Sequence, residues 1–264
     1  MAFYYNGRKI KASKRAARQV RKYRRKAKKS SFVKRVKKII HSQVETKCIQ
    51  VYAPITNIAY AGSVSNPTYI NLNPTPVQGG AQGNRLGNQI RITKAHFHGY
   101  VCMRPWATAL NPMAMPTMVK MWICRRKASN QNSLGAPATA DFAQFFQNGS
   151  SALGFQSSVV DMLLPINTDY WTVFATKTFT LANQLNPGGA TATIVSGNNN
   201  SILPFSFHLQ KHLGLLRYND SSTYPTNKEL FCVLQTVWAD GSTSSSFLTL
   251  AQMSYVYDVQ FEDA

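Results

Sequence analysis

The sequence predicts an all-β fold: a single eight-stranded jelly roll of two packed antiparallel sheets, with long loops and a basic N-terminal arm. Three observations predict it. Positive charge is concentrated in the first 40 residues. From residue 43 onward, short apolar or alternating runs are separated by Asn, Pro, Gly, Ser and Thr clusters, the texture of a β-sandwich. The connections between runs are far longer than hairpins need, which favours a jelly roll over a plain up-and-down barrel.

The charge division is the first element. The 264 residues hold 30 Lys and Arg against 10 Asp and Glu, a net +20. Residues 1–40 contain 17 of the cations and no acid, so the remaining 224 residues carry +20 − 17 = +3. Like charge at that density repels itself, and residues 1–42 are expected to be a disordered or induced-helical arm beside a shell domain at 43–264. Within the arm Ala16, Val20, Tyr23 and Ala27, and then Phe32, Val36, Ile39 and Ile40, recur at helix spacing, with Ser30 or Ser31 placed to cap the second stretch.

The strands come next. Residues 45–60, 89–103, 118–126, 170–181, 205–211, 213–218, 230–238 and 247–261 are the eight candidates. In the last, Phe247, Ala251, Met253, Tyr255, Tyr257, Val259 and Phe261 alternate with polar residues, while Leu248, Leu250 and Val256 break the pattern. The stretches 61–88, 127–169 and 182–203 read as long loops, and 140–147, with Phe142, Phe145 and Phe146, reads as the one helix of the domain. Hydrophobic residues at 44% and aromatics at 11% are enough to fill one large core.

Several chemistries fit poorly. Cys48, Cys102, Cys124 and Cys232 lack metal or redox spacing and read as buried free thiols. There is no signal-type apolar run and no stretch long enough to span a bilayer, so synthesis in a reducing compartment is expected, and the sequons at Asn148, Asn199 and Asn219 carry little weight. His96 and His98 share one side of a strand, but no carboxylate or cysteine at suitable spacing completes a metal set. His208 and His212 are four apart in a β-rich run, without the helical face that spacing requires. The glycine-rich run 79–87 opens a strand instead of a helix, so it reads as a turn and not as a phosphate loop. No catalytic carboxylate pair, nucleophile elbow or dinucleotide motif occurs. No enzyme activity, cofactor or metal is expected.

A polyanion is the partner the charge implies. The candidate nucleic-acid-binding residues are Arg8, Lys9, Lys11, Lys14, Arg15, Arg18, Arg21, Lys22, Tyr23, Arg24, Arg25, Lys26, Lys28, Lys29, Lys34, Arg35, Lys37 and Lys38. Cations there neutralise phosphates and release counterions, while Tyr23 and Phe32 offer rings to unpaired bases. Were all 17 cations engaged on a single strand, log K would fall with log salt with a slope of about −12. Arg21, Lys22, Arg24, Arg25, Lys26, Lys28 and Lys29, followed by the cluster at 34–38, also form a two-part nuclear-import signal. A membrane-surface role for the two amphipathic stretches is weaker, because their apolar faces are narrow.

The basic leader, the run Gln82-Gly-Asn-Arg-Leu-Gly-Asn-Gln-Ile-Arg-Ile92 entering a strand, and Tyr170-Trp-Thr-Val-Phe-Ala-Thr-Lys-Thr-Phe-Thr-Leu181 together resemble capsid proteins of small circular single-stranded DNA viruses, the circovirus-like group. The resemblance implies a structural protein of the virion. About sixty copies would close into an icosahedral shell, with their arms on a single-stranded DNA genome inside. It also implies passage through the host nucleus with an import receptor, and a host-cell surface receptor whose identity is unknown. The coat of a small RNA virus or satellite has the same arm-plus-shell plan. Two other classes are open. A non-capsid single-stranded nucleic-acid-binding protein would share the arm, and a lectin-like jelly roll would use loop aromatics such as Trp106, Trp171 and Trp238.

Overall fold

The computed structural model describes residues 3–5, 8–10, 32, 35, 36, 45–60, 67–81, 83–104, 115–127, 137, 139–182, 202–220, 222–242 and 248–263. The chain divides into two compact units, Met1–Glu45 and Thr46–Ala264.

In the first unit, β1 (Phe3–Tyr5) and β2 (Arg8–Ile10) pair antiparallel, with Tyr4 opposite Lys9. A disordered or induced-helical arm was expected here. Phe32, Arg35 and Val36 are helical, in agreement with the second amphipathic stretch, whereas the first, Ala16 to Ala27, lies outside the described residues.

The second unit is built on eight principal strands: β3 (Thr46–Tyr60), β4 (Thr68–Asn71), β5 (Gln89–Met103), β6 (Thr117–Arg126), β9 (Trp171–Leu181), β10 (Ile202–His208), β12 (Phe231–Trp238) and β13 (Leu248–Asp263). Two minor strands, β7 (Phe146–Asn148) and β8 (Ser151–Leu153), form a hairpin, and β11 (Leu215–Arg217) pairs with β5. One sheet runs β10-β5-β13-β3 and the other β4-β12-β6-β9, all antiparallel. Counted along the chain, the principal strands take the order 6-3-8-1 in one sheet and 2-7-4-5 in the other. That interleaving is the jelly roll.

The core lies between the sheets. Ile92, Ala95, Phe97 and Val101 of β5 face Val119, Met121 and Ile123 of β6 and Cys232 and Leu234 of β12, with Met253, Tyr257, Val259 and Phe261 of β13 beside them. Strands β6 and β12 are buried on both faces because the connection between β6 and β9 folds back over the second sheet. Phe142, Phe145, Phe146, Phe155 and Met162 from that connection pack on Trp122, Cys124, Phe231 and Val233. This long connection is a second apolar layer, and its four phenylalanines serve burial without a continuous helix. The helix is a single turn, Thr139–Phe142, and the rest of the predicted span is a turn entering β7.

Other departures have local causes. Four-residue β4 sits in an Asn- and Pro-rich run too short to show alternation, and it replaces the predicted strand at 213–218 among the eight. There the chain makes a one-turn helix, Gln210–Leu213, before the short β11. A register shift between Thr249 and Ala251 turns Leu250 inward, where Leu248 and Leu250 pack with Tyr60 and Trp238; Phe247 lies outside the described residues. A second shift, between Met253 and Tyr255, interrupts the pairing of β13 with β3; on the other side of β13, a β-carbon on Gly99 of β5 would lie 2.0 Å from the Ser254 carbonyl oxygen. Only glycine fits there. Cys124 and Cys232 are buried, and burial pushes both thiols up. Cys48, against expectation, is exposed, because its strand forms the edge of the sheet, and Cys102 is half-buried.

Candidate nucleic-acid interface

The candidate residues fall in the first unit. Arg8 and Lys9 lie on β2, opposite Tyr5 and Tyr4, and Arg35 is helical and exposed. Phe32 is 67% exposed, so its ring is free to stack on a base. Lys11, Lys14, Arg15, Arg18, Arg21, Lys22, Tyr23, Arg24, Arg25, Lys26, Lys28, Lys29, Lys34, Lys37 and Lys38 lie outside the described residues, as do Ser30 and Ser31.

In the second unit several cations are committed to the fold. Arg85, 1% exposed, sits in the glycine-rich run. It donates from Nη1 to the Gly87 carbonyl at 2.7 Å and Asn88 Oδ1 at 2.8 Å, and from Nη2 to the carbonyls of Asn219 at 2.8 Å and Ser222 at 3.1 Å, while its guanidinium lies over the Tyr218 ring. The run is therefore a turn built around an inward arginine, entering β5. Its backbone turns back on itself: Arg85 N–H donates to Val77 O, and Gly79 N–H to Arg85 O. Gly83 holds a φ of 88° where a β-carbon would press on Cys48 O.

Arg126 is 5% exposed and grips Glu229 with two bonds of 3.0 and 2.8 Å, the bidentate geometry a guanidinium favours. Its Nη1 reaches Asp141 at 2.7 Å, tying the covering connection to β6. Lys47 pairs with Asp263 at 2.8 Å, and Lys177 and Lys228 donate to the carbonyls of Pro204 and Leu213. These groups hold strands and loops together, and their charge is spent internally.

The histidines divide as well. His212 stacks on Phe174 at 4.2 Å, apart from His208, so those two form no pair. His96 stacks on His98 at 4.3 Å and on His208 at 4.6 Å. The expectation that no carboxylate joins His96 and His98 is overturned: Asp258 on β13 stands directly opposite His96, and one ligand atom from each of the three lies within 4.8 Å of the others. Sequence spacing could not reveal it, because 160 residues separate Asp258 from His98.

No family model matches the sequence, and no curated protein does. Among solved structures, one of Desmodium yellow mottle tymovirus aligns at 8% identity over 83% of this chain and 81% of that one, with a TM-score of 0.32. A cryo-EM structure of mud crab tombus-like virus aligns at 10% identity over 84% of this chain and 92% of that one, with a TM-score of 0.28. Likeness this slight establishes no shared detail, and the jelly-roll assignment stands on the strand order alone.

Proposed function

We propose that this chain is a viral coat protein whose jelly roll tiles into a closed shell while residues 1–42 bind a single-stranded genome inside it. One observation carries the proposal: 17 of 30 cations, with no acid among them, precede a β domain of only +3. Condensing a polyanion and building a wall are thereby given to different parts of one chain. The shape of β3 supports self-association. It is a 15-residue edge strand, paired among the described residues with β13 alone, and it exposes Val51, Tyr52 (74%) and Ile55 (66%). Such an edge is a ready contact for another copy. Roughly sixty copies, nuclear import through Arg21, Lys22, Arg24, Arg25, Lys26, Lys28 and Lys29, and a structural rather than catalytic role belong to the same reading.

The genome could be either polymer. The sequence resemblance points to single-stranded DNA, whereas the coat of a small RNA virus has the same arm-plus-shell plan. The test is to express the full chain and the 43–264 fragment and inspect both by negative-stain microscopy and absorbance ratio. Full-length particles should contain nucleic acid that the fragment lacks, and digestion after disassembly with DNase or RNase identifies the polymer. Monomers at high concentration, or equal nucleic acid in both samples, would refute the coat reading. Beads or filaments on added oligonucleotide would favour the non-capsid binding protein.

A further inference from the structure

We propose that His96, His98 and Asp258, on the outward face of the β10-β5-β13-β3 sheet, form a binding site for a divalent transition-metal ion of the zinc class. The site is independent of the coat reading and involves none of the basic arm.

Topology brings the ligands together. His96 and His98 are two apart on β5, so both side chains leave the same face, away from Phe97 in the core. Across the ladder Asp258 of β13 pairs with His96 on one side, and His208 of β10 pairs with it on the other. One donor atom from each of His96, His98 and Asp258 falls within 4.8 Å of the others. Ligands of one zinc ion stand roughly 3.3 Å apart, given metal–ligand bonds of about 2.0–2.1 Å, so side-chain rotation of about an ångström closes the set.

The outer partners of a metal site are also present. Ser206 Oγ lies 2.8 Å from Nε2 of His96, and giving Nε2–H to that oxygen leaves the Nδ1 lone pair for an ion. Gln50 donates to Oδ1 of Asp258 at 2.7 Å, orienting the carboxylate with its second oxygen available. Nδ1 of His98 is shut off from solvent without a hydrogen-bond partner. Two imidazoles and one carboxylate suit zinc, nickel or cobalt, where calcium and magnesium demand more oxygen. A fourth position remains for water, and His208, stacked at 4.6 Å, lies beside the site. Bound there, an ion would pin β5 to β13.

The test is zinc titration of the chelator-treated full-length protein by calorimetry and thermal melting, with cobalt absorption as a spectroscopic readout. The expected result is one zinc per chain, a melting temperature raised by zinc, and no competition from calcium. His98→Gln and Asp258→Asn should each weaken binding ten-fold or more and abolish the thermal shift, Ser206→Ala should weaken it about ten-fold, and His212→Gln should leave it intact. Both ligand variants keep the size of the side chain, and melting without metal reports whether they fold. Absence of saturable zinc binding, or binding unchanged in folded His98→Gln and Asp258→Asn, would overturn the proposal.

Discussion

The arm and the β domain use the same side chains for opposite purposes. Of 30 Lys and Arg, 17 lie in residues 1–40 with no acid near them in sequence, and the other 13 share the domain with all 10 acids. In the domain, Arg126 closes on Glu229 and Asp141, Arg85 is wrapped in carbonyls, and Lys47 meets Asp263. A buried guanidinium needs partners for its charge, because unpaired charge in a low dielectric is costly. On the coat reading, the 17 cations of residues 1–40 would instead be offered to a polyanion, whose binding they would dominate. On that reading, position relative to acid and core would decide which cations recognise a ligand and which hold the fold.

The comparison breaks most readily at the arm. Replacing Arg21, Lys22, Arg24, Arg25, Lys26, Lys28 and Lys29 with Gln should lower the magnitude of the salt slope for single-stranded nucleic acid by about 5, at roughly 0.7 per charge. Filter binding across a salt series reads the slope. The melting temperature of the β domain should stay the same, and a slope unchanged by seven lost cations would place recognition elsewhere.

The converse holds in the domain. Arg126→Met takes the guanidinium away from the buried carboxylate of Glu229 and should cost about 3–5 kcal/mol, lowering the melting temperature by about 10 °C with the salt slope unaltered. Arg85→Lys is milder, because one ammonium cannot reach carbonyls on both sides of the guanidinium. A loss of about 1.5–3 kcal/mol is expected in urea unfolding.

Seven of the eight principal strands were legible, most from alternation, since a strand that buries one face writes a period of two, and β6 and β12 as short apolar runs because both their faces are covered. The short β4 was not, because four residues are too few to show a period. Nor was the role of the 127–170 connection. Phe142, Phe145 and Phe146 carry the spacing of a helix face, yet a sheet already waits beneath them, and Phe145 and Phe146 reach Trp122 while Phe142 stacks on Trp171, from a single turn and a short hairpin. The charge division was fully legible because it is a property of sequence order. The His96, His98 and Asp258 group was half legible: two ligands lie on one strand, and the third comes from a register that only the folded sheet defines.

The smallest expected effect separates the regions by pH. Burial, with Arg125 and Lys211 close by, holds the pKa of His212 below its ordinary 6.5. Near that pH the unfolded chain binds more protons than the folded one, so stability rises with pH. The contribution of His212 is complete above about pH 6.5 and is lost as pH falls through the depressed folded-state value. The 17 lysines and arginines of residues 1–40 keep their charge over the same range. Thermal melts of the full chain from pH 8 to pH 5 should show the melting temperature falling on acidification, and His212→Gln should flatten part of that fall without altering the salt slope at any pH. An identical pH profile in the variant would mean that the stacking of His212 on Phe174 at 4.2 Å tolerates the imidazolium, even with Arg125 lying over the same ring.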